Sequence, residues 1–281
     1  MNSILTAPDL AEIIPNLEEH VYHSEPGITS TQVRAAYKSI LAWRFLIENP
    51  VKPTPAMQLG TAFHALVLEG KKVYAVVPDD LDRRTKVGKK QIERLKEEHP
   101  GKFLFKEEIV LRMLQMKKNL MAHPFAGQLV RGLTQTELSM RWADPKTYAL
   151  CRGRADGIGH ISQSQNYMID LKTTNDLSNF VRSFPYSGMA MQQEHYRRGW
   201  EICAKPHTPP EFYFVVVETT APFDVAVIKT SQEVKDENRA YVDEAIEAIV
   251  KAQNPNTAGW EGAYGPLLEV ETNQITQHLL T

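Results

Sequence analysis

Residues 169–174 read IDLKTT. An acid and a base, Asp170 and Lys172, sit two residues apart in a run that otherwise reads as a strand. In a strand, residues i and i+2 point to one face. Asp170 and Lys172 therefore project side by side, while Ile169 and Leu171 point the other way, into a core. Taken alone, the pair reads as an ion pair on a solvated strand edge, because surface charges are common. Any sharper reading has to come from the rest of the chain.

The chain has 281 residues, 42% of them hydrophobic. That is enough for one elaborated domain or two small ones. Basic residues number 32 and acidic residues 34, a net charge of −2. A polyanion would then be met by a local groove or channel, not by a uniformly basic exterior. The two cysteines, Cys151 and Cys203, are far apart. They suit a reducing cytoplasm and cannot by themselves form a four-cysteine metal site. No apolar run approaches the ~20 residues of a membrane span. The N-terminus has no basic leader followed by an apolar run, and no internal repeat is visible.

Residues 1–28 read as irregular. The stretch from Ile28 to Asn49 carries capping residues, Ser30 and Thr31, and then helical periodicity. A second helix covers AMQLGTAFHALVLEG from Ala56, and a polar basic stretch, DDLDRRTKVGKKQ, follows from Asp79. Helices are expected near 89–98, 106–122 and 188–204, with a long amphipathic one from Ser231 to Gln253. Strands are expected in TELSMRWA, YALCRGRADGIG, YMIDLKTT, EFYFVVVET and DVAVIKT. Helices flanking a central run of strands give a mixed α/β sandwich with a helical N-terminal part.

The strands around GRADGIG and YMIDLKTT form a hairpin across HISQSQN. With the turn centred on Gln163, Asp156 lies opposite Asp170. Opposed residues have Cβ atoms about 4.5–5.5 Å apart, and like charges there repel. Two such carboxylates share a proton or bind a cation. Their hard oxygens suit Mg²⁺ or Mn²⁺. The plainer alternative makes Asp156, which precedes Gly157, a turn residue. Glu137, on the face of its strand opposite Leu138, Met140 and Trp142, either joins this cluster or faces solvent. Gln192 and Tyr196, at i and i+4, share one helix face, either in the site or on a polar surface.

Taken together and in order, these stretches resemble the PD-(D/E)xK nuclease superfamily: GRAD at 153–156, DLK at 170–172, then a helix with Gln192 and Tyr196. GTAFHALVLE, DRRTKVGKK, TELSMRWADPKTYALCRGRADGIG and MQQEHYRRGW add a closer resemblance to RecE-type exonucleases (exodeoxyribonuclease VIII), from about Ile28 to Ala252. Here Arg-Ala-Asp stands where the superfamily has Pro-Asp, and Asp170 is the second acid in place of Glu. The resemblance implies an α/β fold with a restriction-endonuclease-like core, a central mixed sheet flanked by helices, and a helical N-terminal elaboration. It implies a single nuclease domain over residues 1–281, divided into a mainly helical part at 1–130, a catalytic sheet core at 131–252 and a tail at 253–281.

The resemblance also assigns roles. Asp156 and Asp170 would bind Mg²⁺ (Mn²⁺ being an alternative), with the Leu171 carbonyl as a further ligand and His64 approaching the metal. Lys172 would orient or help deprotonate the attacking water. Gln192 and Tyr196 would brace the site and contact substrate phosphate. The basic run with Arg83, Arg84, Lys86, Lys89 and Lys90 reads either as a solvated face or as a loop at 79–90 gripping DNA phosphates. Lys117, Lys118, Arg197 and Arg198 are weaker candidates for that task. No phosphate-binding G-x-x-x-x-G-K-[ST] motif is present, so ATP is not expected to drive the reaction. The implied activity is a Mg²⁺-dependent exodeoxyribonuclease digesting linear duplex DNA 5′→3′. Relatives of this type form rings, which implies a homo-oligomer, a tetramer favoured over a trimer, acting on double-stranded DNA ends beside a RecT-type annealing protein in a bacterial or phage-encoded cytoplasmic setting. Two alternatives stand: an endonuclease on the same fold, and a non-catalytic DNA-binding protein.

Overall fold

The computed structural model describes residues 9–78, 81–82, 84–162, 165–206 and 208–253. Its centre is a six-stranded sheet in the order β1 (Ala11–Ile14), β4 (Leu133–Ala143), β5 (Leu150–Ser162), β6 (Gln165–Thr174), β7 (Glu211–Glu218), β8 (Val225–Ile228). All neighbours are antiparallel except β6 and β7, which run parallel. That parallel step needs a crossover. It is supplied by α8 (Leu177–Ser183), a short 3₁₀ turn at Phe184–Tyr186, and α9 (Met189–Ala204). The expected mixed sheet flanked by helices is the observed one. No helix among the described residues is long and apolar enough to cross a membrane.

Each sheet face has its own core. On one face Met168, Phe212, Phe214 and Val216 are buried with Trp142, under α2 (Ser30–Lys38), α9 and α10 (Gln232–Ala252). On the other, Tyr167, Ile169, Leu171, Tyr213, Val215 and Val217 are buried. The layer there is α4 (Pro55–Leu68), α6 (Glu107–Ala122) and α7 (Pro124–Arg131). The period-2 pattern in β6 and β7 thus divides their side chains between two layers. Ile169 and Leu171 point into the second core, as the opening hexapeptide implied.

Several elements differ from the sequence reading. The single helix expected over 28–49 is two, α2 and α3 (Ile40–Glu48). Ser39 has extended backbone between them, and its hydroxyl accepts a hydrogen bond from Ala42 N–H at 3.0 Å. A serine that caps the next helix competes with its own helical backbone, which explains the break. The N-cap of α2 is Thr29, not Ser30 or Thr31. The stretch read as irregular holds β1 and α1 (Glu19–Ser24). Two short strands, β2 (Tyr74–Val77) and β3 (Phe103–Lys106), pair in parallel as a separate sheet. The basic run becomes helical at Lys86, in α5 (Lys86–Glu98), capped by Thr85. From Asn254 on, the expected tail lies outside the described residues.

Helix α9 approaches the sheet where two glycines remove side chains. A Cβ at Gly199 would lie 2.6 Å from the Trp142 ring, and one at Gly153 would lie 3.0 Å from the Tyr196 ring. Trp142 is fully buried and has no room to move. Gly199→Ala is therefore expected to push α9 outward and destabilise the fold by about 1–3 kcal/mol, as overpacking does. Thermal unfolding measures this, and an unchanged midpoint would show that the close approach is not a constraint.

Candidate active site

The hairpin register is the one read from the sequence. Gly157 pairs with Ile169, Ile158 with Met168 and Gly159 with Tyr167. One step beyond Gly157 and Ile169, at Asp156 and Asp170, the β5–β6 ladder stops. Each strand continues on its other side, β5 with β4 as far as Leu150 and β6 with β7 as far as Thr174. The sheet therefore opens between β5 and β6. Leu171 N–H meets no carbonyl of β5 here and donates instead to Asp156 Oδ2 at 2.8 Å.

A second irregularity shapes the same place. Cys151, Ala155 and Ile158 all face one core, so the alternation in β5 slips by one between Ala155 and Ile158. Opposite it in β4, Thr136 pairs with Gly157 and Leu138 with Ala155. Glu137 between them has φ +50°, left-handed backbone that is strained for a glutamate. The two kinks aim Glu137 and Asp156 at each other and at α4. His64 on α4 completes the group, with Nδ1 3.5 Å from Asp156 Oδ2. One ligand atom each from His64, Glu137 and Asp156 all lie within 4.8 Å of one another. Two carboxylates and an imidazole converging this closely fit a divalent cation, the carboxylates favouring a hard one.

Asp170 stands beside this group and is bound differently. It is 1% exposed; Gln192 Nε2 donates to its Oδ1 at 2.6 Å, and Lys172 Nζ lies 2.6 Å from its Oδ2. Burial raises its pKa; the Lys172 ammonium opposes that rise and Asp156 adds to it. Burial first, and the Asp156 carboxylate next, push Glu137 up to about 8, with Arg154 pulling the other way. Tyr196, one turn after Gln192 on α9, lies against Gly153, and burial holds its pKa well above the usual phenol value.

The structure thus brings together His64, Glu137, Asp156, Asp170, Leu171, Lys172 and Gln192, with Tyr196 on the adjoining turn. It does not join the basic run to them. Arg83 lies outside the described residues. Arg84 folds onto Asp82, with Nε 3.1 Å from Oδ1, and Lys86, Lys89 and Lys90 are exposed on the first turns of α5. Lys117 donates to the Leu66 carbonyl near the end of α4 at 2.8 Å. Arg197 and Arg198 are buried in ion pairs: Arg197 with Glu194 and Glu201, Arg198 with Asp144 and Asp243. These two are structural cations, not phosphate grips.

Arg154, quoted in GRAD without a role, has one. Its Nε donates to Ser139 Oγ at 2.9 Å and its Nη2 to the Leu17 carbonyl at 2.7 Å. The guanidinium stacks 4.3 Å above the Tyr22 ring and its Nη1 lies 3.9 Å from Glu137 Oε2. It ties the segment before α1 to the strained glutamate. The sequence signal was its place two residues before Asp156.

Fold and site together define the PD-(D/E)xK class. A family model described as a PDDEXK-like domain of unknown function (DUF3799) matches residues 38–259. The chain belongs to that family and, through it, to the PD-(D/E)xK nuclease superfamily. The crystal structure of a "Putative exonuclease" from Eubacterium rectale is similar, with a TM-score of 0.60 and 12% identity over 86% of this chain and 88% of that one. At that identity the likeness is one of fold. The crystal structure of SSO0001 is 15% identical over 70% of this chain and 87% of that one, with a TM-score of 0.28. No curated protein matches the sequence.

The raised pKa of Glu137 has a measurable consequence. Between its unfolded value near 4.5 and its folded value of about 8, the folded chain holds a proton that the unfolded chain has lost. Stability of the metal-free protein therefore falls across that interval as pH rises. Glu137→Gln removes the titration. In EDTA the variant is expected to melt above wild type at pH 9 and level with it near pH 4.5. Parallel melting curves of the two proteins across that range would disprove the assignment.

Proposed function

We propose that this chain is a divalent-metal-dependent, ATP-independent exodeoxyribonuclease of RecE type. It digests linear duplex DNA 5′→3′ and leaves 3′ single-stranded tails for recombination. The observation that carries the reading is the convergence of His64, Glu137 and Asp156 beside the Asp170–Lys172 pair, in the opening between β5 and β6. Superfamily membership supports it.

His64, Glu137 and Asp156 would hold the Mg²⁺ or Mn²⁺, with Asp170 and the Leu171 carbonyl at its border. When bound, the ion supplies Lewis acidity beside the scissile phosphate. Lys172 is 24% exposed, so its ammonium reaches the site while Asp170 fixes it from behind. There it orients the attacking water and faces the negative charge that grows on the phosphate. Gln192 holds Asp170 in position, and with Tyr196 it lies along the path of the substrate strand. Arg83, Arg84, Lys86, Lys89 and Lys90 form a second contact that grips DNA backbone without reading sequence. A net charge of −2 favours placing such residues inside a ring. A homotetramer threaded by a DNA end, working with a RecT-type annealing protein, fits that need.

The test uses linear duplexes labelled at the 5′ or the 3′ end, with Mg²⁺ or EDTA, and a closed circular plasmid. Early release of the 5′ label, an intact circle and no reaction in EDTA are expected. Asp156→Asn is expected to abolish cleavage while DNA binding persists. Lys172→Ala should lower turnover about 10²–10³-fold, the usual cost of losing one electrostatic stabiliser. Cutting of the circle would replace this reading with an endonuclease. A wild-type protein inert on every substrate with Mg²⁺ and Mn²⁺ would leave a DNA-binding protein without activity.

A further inference from the structure

The connection from α8 into α9 carries two side chains that the site described above does not use. Phe184 is buried and packs edge-on against Phe214, with ring centroids 5.1 Å apart, which anchors the turn. Two residues later the Tyr186 ring is 72% exposed, and no hydrogen bond or ring contact among the described residues holds it. Facing the same connection is Arg34 of α2. A Cβ at Gly188, the N-cap of α9, would lie 2.9 Å from Arg34 Cδ. Arg34 makes no hydrogen bond or ion pair among the described residues, and its Nε is buried without a partner. Packing, not a carboxylate, holds this guanidinium in place. The first turn of α9 carries no acid to neutralise it.

Gln192, which donates to Asp170, follows Gly188 by four residues. That is a rise of about 6 Å along the helix. Successive bases in a stacked strand are ~3.4 Å apart. The Gly188 end of α9, with Arg34 packed against it and Tyr186 two residues before it, therefore lies one or two nucleotide spacings from Gln192, the residue that holds Asp170. An exposed aromatic ring beside an uncompensated guanidinium is the pairing that holds single strands, a ring for the base and a cation for the phosphate. A duplex offers its base faces only at an end, so a ring standing free selects an unpaired base.

We propose that the α8–α9 connection holds an unpaired DNA strand entering the active site, Tyr186 stacking on a base and Arg34 pairing with a phosphate. This rests on the nuclease reading and adds to it the state of the strand at the site. Full-length protein in EDTA is titrated into labelled oligothymidylate and into closed circular duplex, with fluorescence anisotropy and competition as readouts. Tyr186→Ala is expected to weaken oligothymidylate binding about tenfold or more, as loss of one stacked base does, and Tyr186→Trp to restore it. Arg34→Gln should weaken binding and flatten its salt dependence by about 0.7 in logarithmic slope, one phosphate contact on a single strand. Binding to the closed duplex should be unchanged in all three variants. Affinities equal to wild type for Tyr186→Ala and Arg34→Gln, or equal losses on the closed duplex, overturn the inference, and with normal cleavage they leave the nuclease reading standing. A wild type that neither binds nor cleaves DNA sinks both.

Discussion

Everything in the site depends on one unpaired step in the sheet. Beyond Gly157 and Ile169, β5 and β6 no longer bond to each other, though each is held by its outer neighbour. A backbone N–H left without an acceptor in a buried strand costs about 1–3 kcal/mol. Leu171 would be such a case, being fully buried. The Asp156 carboxylate takes that hydrogen bond, which fixes one of its oxygens in the opening. The same divergence leaves room for Asp170 and Lys172 to point into the gap toward α9, not across to a paired strand.

Helix α9 keeps the opening in shape, and it does so with charge as well as apolar packing. Gln192, Gln193, Glu194, His195, Arg197 and Arg198 are all buried on it. Buried polar groups are tolerated only when partnered. Glu194 meets Arg197, Arg198 and Arg239; Gln193 accepts from Thr230; His195 Nε2 donates to the Arg152 carbonyl. Burial drives the His195 pKa down to about 4, so the imidazole is neutral near pH 7. Such a network contributes little net stability against an apolar core. Its partners come from β5, α10 and the loop before it, so a rotation of α9 would break several bonds at once. That fixes the azimuth of the helix and therefore the aim of Gln192.

Much of this was legible in the sequence, for identifiable reasons. Strands β6 and β7 carry clean two-residue alternation, and the hairpin register followed from placing its turn. His64, Asp156, Asp170, Lys172 and Gln192 stand in stretches whose order resembles a known superfamily. Other features were not legible, because they break local rules. Glu137 adopts a left-handed backbone that no residue pattern announces. The slip in β5 between Ala155 and Ile158 reverses the face that strict alternation would assign. Arg197 and Arg198 look like a surface basic pair until their carboxylate partners, 3 to 54 residues away, are brought in by the fold. Ser39 looked like one more residue in a helix; its extended backbone and its hydroxyl bond to Ala42 show the boundary.

The two halves of the site differ in how their charge is met. Asp170 is neutralised from within: a lysine at 2.6 Å, an amide at 2.6 Å and almost no solvent. Burial still raises its pKa to about 6, because those partners offset only part of the desolvation. Glu137 and Asp156 face each other across the kinked strands with less: Arg154 3.9 Å from one and an imidazole 3.5 Å from the other. The larger rise at Glu137, to about 8, is the sign of that shortfall. A fold that wanted only stability would place an apolar pair there. Keeping the carboxylates, and bending β4 into an unfavourable backbone to bring Glu137 in, fits the proposed arrival of positive charge from outside. In the proposed reaction the neutralised half would present the lysine and the deficient half would receive the cation, so that both positive charges would bear on one phosphate from adjoining sides.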